Sequence, residues 1–350
     1  MQSIFFLIRN SLKVMNKISK LSIALIFIAS QGFTQTFTPL VETVKSSFRG
    51  IDTYGKAVVW VSGSNGTVGY SANHGNDWNW VNPKGYEKFD FRDIAVFSKK
   101  EAVIMSAGSP AIILHTTNAG KTWKKVYEDN RPDIFLDAMD FNGKLGYALG
   151  DPIDGQFQLL RSTDKGRSWQ DVTHNFILFA DEGEVAFAAS GTNLKVWKDK
   201  VYIGTGGKYA SFFNYNPKSL SVDKLDVPIW SGNESSGIFS IDFRNEKEGV
   251  AVGGDYLQDH DNRNNILLTY DGGSSWNRPE TAVYGYRSSI IYITNEILVA
   301  TGTSGTDLSK DGGRNWSNIS SLSFNSLSKS SDGKHIYLTG SKGNVYKLAL

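Results

Sequence analysis

The stretch Ser162–Trp169, with the sequence STDKGRSW, recurs along this chain and decides its fold. Every copy has Ser or Thr first, Asp or Asn third, Gly fifth and Trp eighth; the others are Ser71–Trp78, Thr116–Trp123, Thr269–Trp276 and Ser309–Trp316. These residue types are typical of a tight hairpin turn. We expect Asp or Asn to accept hydrogen bonds from backbone N–H groups two residues on, Gly to take a positive φ and Trp to pack under the turn. Five copies in register predict a repeated β-hairpin.

We interpret the positions that the five copies of this box share as structural, because the turn chemistry accounts for them without a metal or a catalytic role. The third and eighth positions of the five copies are Asn73, Asn118, Asp164, Asp271 and Asp311, and Trp78, Trp123, Trp169, Trp276 and Trp316.

The spacing of the box tryptophans indicates the number of repeats. Successive gaps are 45, 46, 107 and 40 residues, and the gap of 107 is two periods with one box lost. A period near 45 residues made of strands is typical of a propeller blade. We therefore predict an all-β fold, a seven-bladed β-propeller over residues 35–350, with blades near residues 48–81, 91–126, 135–172, 184–227, 237–280, 286–319 and 324–350.

Each unit opens with a short segment that we align as the innermost strand. The seven segments are Phe48–Ile51, Phe91–Ile94, Phe135–Ala138, Phe187–Ser190, Ile238–Ile241, Tyr286–Ser289 and Phe324–Leu327. In the fourth unit Tyr209–Pro217 replaces the box with a hairpin of different turn chemistry. The seventh unit is one strand short, and Thr36–Thr43 is spare, so we predict that this N-terminal strand pairs with the last unit and closes the ring. Helical periodicity is nearly absent, which predicts very little helix.

Composition narrows the classes of function. The 350 residues include 37 Lys and Arg against 35 Asp and Glu, and this balance argues against a nucleic-acid or polyanion partner. Cysteine is absent, which excludes disulfides, thiolate metal sites and a Cys nucleophile. The sequence indicates no cofactor and no metal, and we expect a monomer.

The N-terminal residues 1–34 have the pattern of a secretory signal peptide. Met15–Lys20 is a basic start, Leu21–Ala29 is an apolar run of nine residues, and small residues suited to cleavage follow. We take Met15 as the start of translation and expect an exported protein, periplasmic or extracellular, with no stable membrane span after cleavage. A membrane anchor is the alternative.

The repeat resembles two groups of known proteins. The box is that of the BNR, or Asp-box, propellers, which include sialidases. The fuller unit, with Phe91–Ile94 (FRDI), an apolar strand that ends in Gly, and Ile113–Trp123 (ILHTTNAGKTW), resembles the photosystem II stability/assembly factor family and its non-photosynthetic bacterial relatives. This resemblance implies a seven-bladed, exported or lumenal protein that acts chiefly by binding protein partners during assembly.

Three arginines are the candidate ligand-binding groups. Arg49, Arg92 and Arg287 follow the leading aromatic residue of units 1, 2 and 6, at the end of the inner strand that lies on the top face. We define the top face as the one that carries the loops between second and third strands. Three guanidiniums around one cavity would bind a carboxylate, sulfate or phosphate. The alternative is that each arginine pairs with a neighbouring carboxylate, such as Asp52, Asp93 or Asp137, and pins adjacent blades together.

The top-face loops of units 3, 4 and 5 are longer and more polar than the others, which is typical of functional loops. They contribute three further candidate ligand contacts, Asp154, Lys208 and His260. The loop of unit 5 also contains Asp255, Asp259 and Asp261, whose oxygens suit Ca²⁺ better than Zn²⁺. A solvated acidic loop explains the same residues without a metal, and we keep that interpretation.

The main functional hypothesis is a binding or assembly module whose top face holds a protein partner, an anionic glycan or a small ligand. The alternative is a glycoside hydrolase of sialidase type, in which the arginines grip a carboxylate and Asp151, Glu184, Tyr209 and Asp255 supply the chemistry. The run Phe48–Ile51 (FRGI) lacks the proline of the sialidase motif. The separation of the carboxylates, which decides glycosidase chemistry, needs coordinates.

Overall fold

Short apolar strands alternate with Gly-containing turns along the whole chain, and each strand pairs with its neighbours in sequence. The computed structural model describes residues 35–175, 178–198 and 200–350. The predicted signal peptide, residues 1–34, lies outside the described residues. Thr36–Ala349 form one compact unit of seven antiparallel sheets, which confirms the seven-bladed β-propeller.

The closing strand and the first three blades contain thirteen strands. They are β1 (Thr36–Val41), β2 (Phe48–Tyr54), β3 (Val58–Gly63), β4 (Val68–Ser71), β5 (Asn79–Trp80), β6 (Phe91–Val96), β7 (Ala102–Ser106), β8 (Ala111–Thr116), β9 (Lys124–Asp129), β10 (Leu136–Asn142), β11 (Leu145–Ile153), β12 (Gln156–Ser162) and β13 (Gln170–Asp171). One turn of 3₁₀ helix, Thr173–Asn175, is the only helix in the described residues, as the sequence predicts.

The remaining four blades contain sixteen strands. They are β14 (Glu184–Val185), β15 (Leu194–Trp197), β16 (Lys200–Gly204), β17 (Gly206–Gly207), β18 (Ser211–Asn216), β19 (Ser221–Asp226), β20 (Ser236–Phe243), β21 (Gly249–Asp255), β22 (Ile266–Thr269), β23 (Ser289–Tyr292), β24 (Leu298–Gly302), β25 (Gly305–Ser309), β26 (Ser317–Ser320), β27 (Ser326–Lys329), β28 (Ile336–Thr339) and β29 (Val345–Ala349). Within residues 35–175, 178–198 and 200–350, no helix is long and apolar enough to cross a membrane.

The blades run from an inner strand beside the central channel to an outer strand at the rim. The inner strands, in blade order, are β2, β6, β10, β15, β20, β23 and β27. Blade 5 differs in two ways: β14 and β17 extend it beside β20, and a single bridge between Leu268 and Asn277 takes the place of its outer strand.

The first strand closes the ring, as predicted. In blade 7 the order is β27, β28, β29 and then β1, and β1 pairs antiparallel with β29 through Phe37 opposite Leu348 and Thr38 opposite Lys347. Leu40 packs against the cluster that contains Phe48 and Val345. The edge of β29 is therefore covered by a strand from the other end of the chain.

Apolar side chains fill the spaces between adjacent blades. Trp60 of β3 is fully buried, stacks on Tyr70 at 4.7 Å between ring centroids and meets the ring edge of Trp123 at 6.3 Å. Trp123 belongs to the box of blade 2, and its Nε1 donates a hydrogen bond of 2.9 Å to the carbonyl of Val81 in blade 1. The box tryptophans thus join one blade to another as well as filling the turn.

The hydrogen bonds of the box differ from our expectation by two residues. Asp164 Oδ1 accepts from the backbone N–H of Ser168, four residues on, at 3.0 Å, whereas the hydroxyl of Ser162 accepts from Gly166 N–H at 2.8 Å. The other four copies repeat this arrangement. The residue before each box glycine also has a positive φ, 64° at Lys165, which explains why two copies have Gly-Gly there.

Blade 4 departs from the predicted alignment. Its hairpin of β18 and β19 replaces the box as expected, but its inner strand is Leu194–Trp197 and not Phe187–Ser190. Residues 186–193 instead lie in the central channel outside any strand; we call them the crossing segment. The small residues of this segment pack closely against blade 2, because at Gly191, with φ of +72°, an added Cβ would lie 2.3 Å from the carboxylate of Asp93.

Candidate functional site

The crossing segment divides the central channel into two cavities. Ala189 accepts a hydrogen bond of 3.1 Å from Arg49 Nη1 of blade 1, and Ser190 Oγ donates one of 2.6 Å to the carbonyl of Ser288 in blade 6. Residues 186–189 line one cavity, which we call the upper cavity, and residues 190–192 line the other, the lower cavity. The segment therefore forms a floor between the top face and the opposite face.

The upper cavity has a volume of about 420 Å³ and lies on the top-face side of the crossing segment. Cationic, acidic and aromatic side chains surround it. Its lining residues are Arg49, Arg92, Phe135, Asp137, Ala186, Phe187, Ala188, Ala189, Phe239, Tyr256, Tyr286, Ser288, Thr303 and Asn325.

A repeated β-bulge directs side chains into this cavity. In blade 1 the ladder pairs Phe48 with Gly63 and Gly50 with Ser62, which leaves Arg49 as the extra residue between them. Arg92, Asp137 and Phe239 occupy the same bulge position in blades 2, 3 and 5. A bulge re-aims the side chain of its extra residue, so one backbone device supplies four of the lining groups.

Arg49 and Arg92 lie close together in the upper cavity, as the sequence predicts for two of the three arginines. Burial lowers the pKa of Arg49, and the positive charge of Arg92 lowers it further. Within the described chain the Arg49 guanidinium has no carboxylate partner, since its hydrogen bond goes to the carbonyl of Ala189. Arg92 is held by Asp90 at 2.8 Å and lies 5.7 Å from the ring centroid of Phe135. Two neighbouring guanidiniums, of which only Arg92 has an ion pair with a carboxylate in the described chain, favour a bound anion.

Arg287 does not line the upper cavity. It is fully buried, its Nη2 forms an ion pair of 2.7 Å with Asp307, and its Nη1 donates to the carbonyl of Tyr286 at 2.8 Å and to Ser304 Oγ at 2.7 Å. Burial lowers the pKa of Arg287, and the charge of Asp307 opposes that effect.

A one-residue register difference explains this placement. The N–H of Arg287 donates to the carbonyl of Gly253 at 3.0 Å, in the preceding blade, just as the N–H of Phe48 donates to Gly340 at 3.1 Å. Arg287 thus takes the position of Phe48, which points between blades, and Ser288 takes that of Arg49. A shift of one residue turns a strand side chain to the opposite direction.

Asp137 lines the upper cavity, whereas the sequence indicates it only as a carboxylate with which one of the arginines could pair. Our alignment matched Phe135 with Phe48, but the ladder pairs Leu136 with Gly150, so Asp137 stands where Arg49 stands in blade 1. Its side chain is fully buried, and neither carboxyl oxygen has a well-formed hydrogen bond within the described residues. Burial raises the pKa of Asp137 well above its usual range, the negative charge of Asp151 adds to this rise, and Arg92 opposes it.

Aromatic rings form much of the wall of the upper cavity. Phe187 stacks on Phe239 with ring centroids 3.9 Å apart, and Phe239 meets the edge of Tyr286 at 4.7 Å. Tyr256, which also lines the cavity, is exposed. Three further apolar side chains are exposed on the top-face loops and links of blades 4 to 6; they are Tyr209, Leu257 and Tyr284. The site thus combines an anion-binding end with a large apolar surface.

The four carboxylate and tyrosine candidates for glycosidase chemistry do not line the upper cavity. Asp151 accepts from Ala186 N–H at 2.9 Å, and burial raises its pKa to about 6. Glu184 is buried and pairs with Lys224 at 2.8 Å. Asp255 is buried and accepts from Ser235 Oγ at 2.7 Å and Leu257 N–H at 2.9 Å. Tyr209 is exposed beside Lys208.

The three loop candidates for ligand binding are also outside the upper cavity. Asp154 lies exposed in the turn between β11 and β12 with φ of 54°, and Lys208 and His260 are exposed. In the acidic loop, Asp259 accepts from Thr303 Oγ1 at 2.7 Å and Asp261 pairs with Arg263 at 2.7 Å. No group of three His, Asp or Glu side chains within the described residues is arranged to hold a metal ion.

The lower cavity, of about 510 Å³, is lined by carboxylates that tie neighbouring blades together. Asp52 Oδ2 accepts from Val96 N–H at 2.7 Å, Asp93 Oδ2 from Met139 N–H at 2.6 Å and Asp140 Oδ2 from Val196 N–H at 2.6 Å. Burial raises the pKa of all three, that of Asp52 to about 7. Lys195 lies 3.3 Å from Asp242, whose charge raises the pKa of the ammonium. These groups have structural partners, so we place the candidate site in the upper cavity.

Comparison with known proteins agrees with the repeat. Residues 39–132 match the model of the family described as photosynthesis system II assembly factor YCF48. No curated protein sequence matches the chain significantly. The family match over residues 39–132 and the fold confirm the resemblance seen in the repeat: this chain is similar to the YCF48 BNR propellers.

Solved structures share the fold at low sequence identity. A YCF48 bound to a D1 peptide is 14% identical, with a TM-score of 0.64, over 91% of this chain and 97% of that one. YCF48 from Cyanidioschyzon merolae is 15% identical, with a TM-score of 0.62, over 89% and 98%. A catalytically inactive virginiamycin B lyase from Staphylococcus aureus with quinupristin is 14% identical, with a TM-score of 0.65, over 90% and 99%. Because binding proteins and an enzyme both appear, the fold alone does not decide the function.

Proposed function

We propose that this chain is a protein-binding assembly module that takes a carboxylate-bearing segment of a polypeptide into the upper cavity. The observation that carries the proposal is the pair Arg49 and Arg92, of which Arg49 has no carboxylate partner in the described chain. Guanidinium groups in a half-enclosed site bind carboxylates through short, charge-assisted hydrogen bonds.

The apolar surroundings favour a polypeptide over a small anion. Phe187, Phe239 and Tyr286 form a continuous wall inside the cavity, and the exposed Tyr256 extends it. Aromatic and aliphatic anchors beside a few charged groups are typical of surfaces that bind protein segments. The solved YCF48 that holds a D1 peptide supports the same kind of partner for this chain. The carboxylates considered for a glycosidase do not line the upper cavity, so we do not propose that activity.

We also propose that the protein is exported. The basic stretch Met15–Lys20 and the apolar run Leu21–Ala29 support this proposal. The mass of the chain recovered from its native cell tests it: we expect cleavage near Thr34, and recovery of a cytoplasmic chain that retains Leu21–Ala29 would contradict export.

Loss of both cavity arginines should strongly weaken peptide binding. A displayed library of random heptapeptides is selected on the mature protein, and the strongest peptide is synthesised together with the analogue in which Gln or Asn replaces its acidic residue. We expect Asp or Glu in the selected sequences. The double variant Arg49→Gln with Arg92→Gln should bind about 100-fold more weakly, because each charge-assisted hydrogen bond contributes about 1.5–3 kcal/mol.

The matched control is Arg131→Gln, because Arg131 is an exposed arginine outside the upper cavity that pairs with Asp129 at 2.6 Å. It should bind the selected peptide like the unaltered protein. Circular dichroism and thermal melting check that each variant is folded. Unchanged affinity in the double variant, or selection of peptides without acidic residues, would contradict the proposed function.

A further inference from the structure

Asp137 has an unusual position for an acidic group in a site for anions. It occupies the same β-bulge position as Arg49 and Arg92, and it lines the same cavity. It is fully buried, and its two carboxyl oxygens have no well-formed hydrogen bond to any residue that the structure describes. A buried polar group without a partner destabilises the folded protein unless something else satisfies it. An orphaned group that faces a cavity therefore points to a bound molecule.

The charges around Asp137 determine its protonation state. Burial and the nearby carboxylate of Asp151 favour the neutral acid, whereas Arg92 and the backbone N–H of Asp151 favour the ionised form. Arg49 also lines the cavity. Asp90 lies 2.8 Å from Arg92 and partly offsets the positive charge of that guanidinium. The phenol of Tyr286 is the other titratable group of the wall, and burial raises its pKa, so it stays neutral. Asp137 then holds an O–H donor, which no described protein group accepts, in the lining of the cavity that contains the two guanidiniums.

We propose that Asp137 remains a neutral carboxylic acid in the complex and donates a hydrogen bond to the carboxylate that Arg49 and Arg92 bind, which makes it a specificity-determining residue for carboxylates. This inference rests on the proposed function of the upper cavity. In this arrangement one oxygen of the bound carboxylate faces the guanidiniums, and the other accepts a hydrogen bond from the neutral Asp137 carboxyl group. An ionised Asp137 in the same place would repel the ligand, so the site loses affinity when that proton is removed.

The pH dependence of binding tests this inference. The probe is the strongest acidic heptapeptide from the selection described above, measured by calorimetry between pH 6 and pH 9. The peptide carboxylate is ionised throughout this range. We expect the unaltered protein to lose about tenfold or more in affinity as pH rises through the raised pKa of Asp137, since a donor becomes a repelling charge.

Two variants separate the donor from the charge. Asp137→Asn keeps an N–H donor of the same shape that does not titrate, so its affinity should match that of the unaltered protein at pH 6 and remain constant to pH 9. Asp137→Ala removes the donor and should bind about tenfold more weakly at pH 6, again without pH dependence. NMR can follow the carboxyl carbon resonance of Asp137 with pH in the free protein. The resonance is assigned by its absence from the spectrum of Asp137→Asn, and its shift reports the protonation state of Asp137 without a ligand.

The results separate this inference from the proposed function. Acidic peptides that bind through the arginines with the same affinity at pH 6 and pH 9, together with tighter binding by Asp137→Asn, would overturn the role of Asp137 and leave the proposed function intact. A carboxyl carbon resonance which shows that the Asp137 carboxyl group is already ionised at pH 6 would overturn the role of Asp137 as well. If no acidic peptide is selected, the proposed function fails, and the inference fails with it because the acceptor is missing.

Discussion

Substitution of Arg287 by alanine should lower the free energy of unfolding by about 3–5 kcal/mol, because it leaves a buried carboxylate without its partner. Arg287 and Asp307 are both fully buried and form an ion pair of 2.7 Å. The guanidinium also donates to the carbonyl of Tyr286 and to Ser304 Oγ. Urea denaturation of the variant and the unaltered protein measures the difference. Peptide affinity of the folded fraction should not change, because Arg287 does not line the upper cavity.

Arg49→Ala is the matched control, because Arg49 is an arginine of the same ring of blades without a carboxylate partner in the described chain. Its removal should change the free energy of unfolding by less than about 1 kcal/mol, since loss of its hydrogen bond is offset by loss of an unfavourable buried charge. The double variant Arg287→Met with Asp307→Asn should recover at least half of the stability that Arg287→Ala loses. Equal destabilisation by Arg287→Ala and Arg49→Ala would contradict the assignment of Arg287 as a structural pair.

Deletion of residues 36–43 should open the ring and destabilise the protein by about 3–6 kcal/mol. The deletion removes the pairing of β1 with β29 and the contacts of Leu40 and Val41 with the cluster around Phe48 and Val345. Partial burial of two aliphatic side chains and a row of backbone hydrogen bonds accounts for this range. The exposed edge of β29 should also promote self-association, which light scattering detects.

A synthetic peptide with the sequence of residues 36–43 provides the control for this deletion. Added in excess, it should restore the melting temperature by pairing with β29, in the way that extended peptides add to open sheet edges. A scrambled peptide of the same composition should have no effect. A deletion variant that melts like the unaltered protein would show that β1 does not hold the ring closed.

The parts of the fold that depend on local sequence could be predicted. The turn chemistry of Ser162–Trp169 is contained in eight neighbouring residues, so its repetition indicates both the strands and their period. The sequence places the spare segment at Thr36 beside the last unit, because that unit ends one strand short. Arg49 and Arg92 were assigned to one cavity because the segments FRGI and FRDI keep the same register in blades 1 and 2.

The rest of the site depends on register, which a sequence without coordinates leaves open. The bulge in blade 3 moves Asp137 into the position of Arg49, although Phe135 matches Phe48 better in residue type. In blade 6 the register moves an arginine out of the cavity, because Arg287 takes the interblade position that Phe48 fills in blade 1. Hydrophobic pattern does not distinguish these cases, because a shift of one residue preserves the strand and changes only where each side chain points.

The closing strand has a consequence for the order of events during synthesis. β1 leaves the ribosome first among the described strands, and its partner β29 follows only after the other twenty-seven strands. The seventh blade therefore cannot be completed while the intervening chain is still being translated. Until then the ring of blades stays open. The finished propeller therefore forms only after β29 has been synthesised and has paired with β1.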